Sequence, residues 1–522
     1  MSPRRTLGQA VFGAGPKASA GAAAAAVVVI LWMLAAFTYK DHNYDAYAVL
    51  ASVASLASTL AFVVWQPPES LAAFRTLGVL VLGQGFLSSG FAIVLEVDRS
   101  EMLALITPGS FSQAVGAVVV FNLMFLVGAW FTVPKRSAPD PALAASAGPT
   151  ASVALGLALG VAVLNVASIS APKLFAPLGM LPTIFLNVGL IIPLLIGTLH
   201  YSKRSMAVPL GIVFGAQALG TLLTSMLGIF LLTARDAVLS FIHLRKRLPL
   251  GSIGVVVLAF VVLTPAKALF RNQVTARGGV QLELEEAVDL WADSLERSWS
   301  ERARQQDATG QSVESSAQRL NYNGMIAHVF ETVPARLPHE LGDTYADIPL
   351  SLVPRVLYPD KPSSTYQFRG RWLIALGLQT RTSVETTALA VPTPAEAYWN
   401  FGWLGVFAVP MLLGLGVGLL LRLSPADPAA ATAFTVFVAC NVAQFLDMLI
   451  WVIPQIVFAA LSAVLLRFYC SWGKRRVAPP ARPPSSRGGE LTPPLELGGA
   501  VPPVAGALEL SGAERRARQS SR

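Results

Sequence analysis

Cysteine is nearly absent from this chain. The two that occur, Cys440 inside an apolar run and Cys470 at the end of one, can build neither a disulfide framework nor a Cys-based zinc site. Charge is scarce too: Asp, Glu, Lys and Arg make up 13% of 522 residues, against 54% apolar residues and a mean hydropathy of +0.57. Those proportions exclude an ordinary soluble globular protein and predict an all-α polytopic membrane protein. The sequence also carries no P-loop, no GxGxxG before a helix, no HExxH and no GxSxG. An ATP-driven transporter built on it would need its engine on another chain.

What is present is long apolar runs and an uneven distribution of charge. The formal charge of +9 would suggest nucleic-acid binding if it were clustered. It is not. The interval Arg271 to Asn400 holds 12 Arg/Lys and 16 Asp/Glu, so the excess positive charge lies in the tails and short connections. That is the pattern of cytoplasmic segments under the positive-inside rule, and no nucleic-acid partner is expected.

Apolar segments near the length a bilayer core requires run from Ala20 to Phe37, Ala46 to Trp65, Leu77 to Leu95, Phe111 to Val133, Ala151 to Val166 and Leu178 to Leu199. Glu96-Val97-Asp98 belongs outside, whereas Pro134-Lys135-Arg136 and Ser202-Lys203-Arg204 belong inside. The interval Met206 to His243 reads as one helix or two. Two helices turning near Leu222 to Ser225 keep the basic cluster His243 to Arg247 inside, and a further span from Ile253 to Phe270 then delivers the long polar loop to the outer side. Gly402 to Leu421, Ala430 to Phe445 and Leu449 to Arg467 complete about 12 spans.

The expected organisation is therefore a cytoplasmic N-terminal tail over 1–19, a first membrane block of about nine helices over 20–270, a large extracytoplasmic loop over 271–400, three helices over 401–470 and a disordered cytoplasmic tail over 471–522.

Within the loop, Leu284, Val288, Trp291, Leu295 and Trp299 recur at helical spacing and predict an amphipathic helix over Leu282 to Arg304. Its apolar stripe fits a membrane interface or packing over helix ends equally well. A second short helix is expected over Gln318 to Glu331. The loop changes sign along its length, with 7 basic and 13 acidic residues from Arg271 to Asp347 but 5 basic and 3 acidic from Ile348 to Asn400. Arg355, Lys361 and Arg381 in that second part could present a cationic surface to phosphate, since Arg forks match phosphate oxygens and Lys supplies a point charge. Arg369 and Arg371 read more simply as ion-pair partners of the acidic segment before them.

Glu396 is a candidate general base or hydrogen-bond acceptor for a sugar hydroxyl, or equally a favourable charge at the start of the helix beginning near Ala395. His328 and His339 could also take a proton, and their spacing is no metal motif. Tyr398, Trp399 and Trp403 read first as an interfacial aromatic belt. Arg235 and Asp236 fall at membrane depth, where charges pair with one another or line a cavity.

The pattern Pro354-Arg355-x-Leu357-Tyr358-Pro359-x-Lys361-Pro362, followed by Thr393-x-x-Glu396-x-Tyr398-x-Asn400-Phe401-Gly402-x-x-Gly405, resembles the bacterial Wzy-type polymerases of oligosaccharide repeat units. Thr233-Ala234-Arg235-Asp236 is similar to that family's small-small-Arg-Gly element, with Asp236 standing where the family has a small residue. The resemblance implies a multi-pass protein of the bacterial inner membrane, with both termini cytoplasmic, acting in O-antigen or exopolysaccharide assembly. It implies transfer of a polyprenyl-diphosphate-linked glycan onto a new lipid-linked repeat at the periplasmic face, alongside a flippase and a chain-length regulator. By it, Arg235, Arg355 and Lys361 would bind diphosphate with Arg381 assisting, Glu396 would orient or deprotonate the acceptor, Tyr358 would line the substrate site, and Asn400 would hold a sugar or cap a helix. No cofactor or metal is implied. The competing functions are an O-antigen ligase-like transferase, a polysaccharide transporter or flippase, and a non-catalytic sensor or scaffold.

Overall fold

The computed structural model describes residues 46–65, 69–94, 106–135, 151–160, 188–201, 206–224, 227–245, 249–277, 284–304, 322–353, 358, 369–381, 391–442 and 448–476. Among these residues every regular element is a helix. The expected span from Ala20 to Phe37, the run from Gln305 to Asn321, and the tail from Val477 lie outside them.

In chain order the helices are α1 (Ala46–Val64), α2 (Ala72–Val94), α3 (Pro108–Thr132), α4 (Ala151–Gly160), α5 (Val188–Tyr201), α6 (Ala207–Thr224), α7 (Leu227–Arg245), α8 (Leu250–Ala276) and α9 (Leu284–Arg304). There follow α10 (Asn323–Thr332), α11 (Ile348–Leu352), α12 (Arg369–Ala375), α13 (Thr393–Leu421), α14 (Pro428–Val442) and α15 (Leu449–Arg476). Gly109–Thr132 and Thr393–Leu421 are long and apolar enough to cross a membrane, and seven shorter apolar helices accompany them among the described residues. The interval Met206 to His243 resolves into two helices, α6 and α7.

The closest packing is between α3 and α13, which run parallel, Phe125 facing Gly414 and Thr132 facing Gly418. A side chain at Gly128 would strike the Met411 carbonyl, one at Gly414 the Phe125 carbonyl, and one at Gly418 the Thr132 hydroxyl. Small residues thus bring the two backbones together, which raises dispersion contact between them. Across the seam the Thr132 hydroxyl donates to the Leu415 carbonyl at 2.9 Å and Arg422 Nε to the Thr132 carbonyl at 3.0 Å.

Two chemically distinct ends follow from these packings. At one end Arg75 is 2% exposed and donates to the carbonyls of Phe62 (3.0 Å), Val63 (2.6 Å) and Ile242 (3.1 Å). Those carbonyls belong to the last turns of α1 and α7, where unpaired C=O groups and the negative dipole end favour a cation. Phe74 packs edge-on against Trp130, 5.0 Å between centroids, and Lys135 lies over that Trp130 ring. Arg467 donates to the Arg422 and Ser424 carbonyls at the same end. The opposite end carries the starts of α3, α13 and α15 together with the loop residues 322–353.

The amphipathic helix is present as α9, but its buried face is rotated from the predicted stripe. Trp291 stacks on Phe270 of α8 at 4.9 Å, and Ala287, Leu290, Ser294 and Ser298 share that face, whereas Val288 and Trp299 are exposed. The second loop helix begins later than predicted, at Asn323, and is buried along most of its length.

A broken helix closed by the loop as the candidate functional site

The motif Thr393 to Gly405 does not form one straight helix. Backbone angles leave the helical region at Phe401 (φ −132°, ψ 15°) and Gly402 (φ 60°, ψ −148°), so 393–400 is a short first arm and 403–421 a long second one. The Gly402 angles are essentially accessible to glycine alone. At Gly405 any side chain would collide with the Ala397 carbonyl. Both glycines of the motif are therefore required by the break itself.

A break leaves carbonyls without intrahelical partners. Here the loop supplies the donors. The Glu340 N–H donates to the Trp399 carbonyl at 3.2 Å, the Leu341 N–H to the Asn400 carbonyl at 3.1 Å, and the Gly342 N–H to Asn400 Oδ1 at 2.8 Å. Leu341 and Gly342 reach this geometry through positive φ values of 50° and 102°. His339 Nδ1 lies 3.1 Å from the Trp399 carbonyl. Since a carbonyl only accepts, Nδ1 carries the proton and Nε2 is the ring nitrogen left to accept one.

Glu396 and Asn400 project from the first arm into this clamp, and both are fully buried. Glu396 Oε1 accepts from the Thr344 hydroxyl at 2.8 Å and Oε2 from the Leu449 N–H at 2.7 Å, at the start of α15. Asn400 Nδ2 donates to the same Thr344 oxygen at 2.7 Å and to the Glu396 carbonyl at 2.8 Å. One carboxylate and one amide thus join the first arm, the loop and the start of α15. The Tyr345 hydroxyl is enclosed beside them with no partner at hydrogen-bonding geometry among the described residues. Burial first, and the Glu396 carboxylate second, push its pKa well above the ordinary phenol value.

Aromatic rings surround the clamp. Phe330 of α10 stacks on Tyr398 with 3.8 Å between centroids, and Trp403 meets both edge-on. His339 lies against Tyr398, and Trp403 is 41% exposed, so this cluster is accessible from outside. Helix α10 is anchored as well: the Glu331 carboxylate accepts from the hydroxyls of Thr107 and Ser110 at the start of α3. Those bonds, with Ser110 the largest cause, hold the Glu331 pKa below its usual range.

The cationic candidates are placed less evenly. Arg355 and Lys361 lie outside the described residues, while Tyr358 and Arg381 are described and exposed. Arg371 pairs with Asp347 at 2.6 Å and its guanidinium lies 4.4 Å over Trp372. Burial, opposed by Arg371 and aided by Asp343, raises the Asp347 pKa. His328 Nε2 bonds the Leu376 carbonyl at 2.9 Å. Away from the loop, Arg235 Nε and Nη2 both donate to Asp236 Oδ1, at 3.2 and 3.0 Å, and Cys440 of α14 interacts with both side chains.

The structure therefore brings Glu396 and Asn400 together, joins them to Gly342 and Thr344 and encloses Tyr345 beside them, three residues that composition and motif reading passed over. A positive-φ glycine between Leu341 and Asp343 was the one local signal for that turn. No family model, no curated protein and no solved structure matches this chain.

Proposed function

We propose that this chain is a polytopic membrane glycosyltransferase that extends a glycan carried on polyprenyl diphosphate, working at the outer face of a bacterial inner membrane. The observation that carries the reading is the clamp. The residues resembling the polymerase motif, Glu396, Asn400, Gly402 and Gly405, form a broken helix whose open carbonyls are closed by the polar loop. Lys135, Arg422 and Arg467 gather at the other end, the arrangement expected if that end is cytoplasmic and the loop end periplasmic.

In this reading a hydroxyl of the acceptor repeat attacks the anomeric carbon of the donor glycan. The bond from that carbon to the phosphate oxygen breaks, and polyprenyl diphosphate leaves with the electron pair. Arg235, Arg355, Lys361 and Arg381 stabilise the charge that develops on it. With both oxygens of Glu396 occupied, the carboxylate is assigned to positioning the break, and Asn400 to holding the loop. The proton passes to His339 Nε2, whose tautomer the Trp399 carbonyl fixes. The exposed edge of the Phe330, Tyr398 and Trp403 cluster offers a face on which a sugar ring can stack.

The test is a glycan gel from cells carrying Arg355→Ala or Lys361→Ala protein at normal membrane levels. Accumulation of single lipid-linked repeats is expected. Polymer of normal length would overturn the assignment, and full-length polymer stranded on its carrier lipid would indicate the ligase-like function instead.

A further inference from the structure

Two guanidinium groups inside the described apolar helices are held in different ways. Arg75 is 2% exposed and donates to three backbone carbonyls, a fixed arrangement that ties helix ends together. Arg235 is held by the neighbouring Asp236 carboxylate, and its side chain keeps 20% of its surface open while that of Asp236 keeps 5%. Consecutive residues on a helix project about 100° apart, so the Arg235 side chain must curl back to reach its neighbour. It does so through two nitrogens on a single oxygen, Oδ1, and not through the parallel two-oxygen fork that makes Arg–carboxylate pairs strongest.

We infer that Asp236 is an exchangeable counter-ion of Arg235, displaced when a diphosphate binds and restored when it leaves, and that Asp236 thereby sets how tightly the diphosphate is held. The inference rests on the proposed role of Arg235 as a diphosphate ligand. An unpaired guanidinium this far from water is strongly unfavourable, so the empty site needs an anion of its own. A diphosphate offers two or more oxygens in the spacing that the guanidinium fork matches, and it carries more charge than one carboxylate. Once displaced, the Asp236 carboxylate stays within the same helical turn and repels the diphosphate, which favours release after each transfer. Cys440 of α14 lies against both side chains.

The experiment uses the full chain in detergent micelles, with binding of inorganic diphosphate and of polyprenyl diphosphate measured separately for wild type, Arg235→Gln, Asp236→Asn and Asp236→Glu. Arg235→Gln should weaken both ligands. Asp236→Asn keeps an acceptor for Arg235 but removes the competing charge, so affinity for both should rise by at least about tenfold, with slower dissociation. Asp236→Glu keeps the competing charge and should bind both ligands more weakly than Asp236→Asn does; affinity equal to that of Asp236→Asn would overturn the inference. If Arg235→Gln weakens binding while Asp236→Asn leaves it unchanged or weaker, Asp236 is a permanent structural partner and the inference fails with the role of Arg235 intact. If Arg235→Gln changes neither affinity, the diphosphate role of Arg235 itself fails. A rise confined to polyprenyl diphosphate would overturn the inference, because displacement depends on the diphosphate alone.

Discussion

Replacing Asn400 with alanine should release the loop from the broken helix while leaving the bundle folded. The Asn400 side chain accepts from the Gly342 N–H and donates to Thr344 and to the Glu396 carbonyl, at 2.8, 2.7 and 2.8 Å. Each such bond contributes about 0.5–1.5 kcal/mol net, and a buried donor left without a partner costs about 1–3 kcal/mol. The three bonds meet on the one Asn400 side chain and do not add independently, so a combined loss of about 3 kcal/mol is a reasonable centre. The backbone bonds from Glu340 and Leu341 to the Trp399 and Asn400 carbonyls do not involve the deleted atoms, but they depend on the same loop conformation. Amide hydrogen exchange of residues 340–342 reads that conformation directly. About 3 kcal/mol corresponds to exchange faster by roughly two orders of magnitude at those amides, with the amides of α3 unchanged. Exchange at 340–342 equal to wild type would show that Asn400 does not hold the loop and would refute the clamp.

Further expectations follow from individual residues. His339→Asn keeps an N–H for the Trp399 carbonyl but has nothing in the place of Nε2, so loop exchange should stay as in wild type while glycan extension falls by about 100-fold or more, the usual size of a lost general base. Equal extension would remove His339 from the chemistry. Gly402→Ala places a side chain at φ 60°, ψ −148° and should cost about 1–3 kcal/mol, lowering the yield of monodisperse protein, whereas Gly416→Ala, with open space around it, should not. Arg75→Met leaves the carbonyls of Phe62, Val63 and Ile242 without their donors and should destabilise the protein by about 3 kcal/mol or more in thermal unfolding. The Glu331 pKa is depressed in the folded chain, so the contribution of Glu331 is fully present above the ordinary carboxylate value of 4.5 and is lost as pH falls through the lower folded value. Exchange of α10 amides should therefore rise on acidification in wild type, and Glu331→Gln should flatten that dependence.

How far the sequence discloses this architecture depends on the type of signal. Apolar run length located α1, α3, α6, α7, α14 and the second arm of α13 within a few residues, because burial or lipid contact selects for composition directly. Charge placement predicted the division between a basic end and a loop end for the same reason. Periodicity located α9 but misplaced its buried face, since the small residues Ala287, Ser294 and Ser298 are buried there and mark a face only weakly. The clamp was the least legible part. Its hydrogen bonds join Gly342 and Thr344 to Asn400, 58 and 56 positions apart, and no local pattern encodes a partner at that distance. Glu396 and Asn400 were recognisable as a carboxylate and an amide at the mouth of a helix, but not that each would be fully enclosed by its partners. The glycines of α3 and α13 were visible as Gly128, Gly414 and Gly418, and only the packing shows that each lies against the backbone or a side chain of the opposite helix.

The most direct measurement is chain extension by purified protein in proteoliposomes supplied with a single oligosaccharide repeat on polyprenyl diphosphate and nothing else. The account predicts a ladder of products growing by one repeat, with free polyprenyl diphosphate released in step, and loss of the ladder in the Arg355→Ala protein. Folded wild-type protein that leaves the repeat unchanged, or that moves it across the bilayer without lengthening it, would contradict the account.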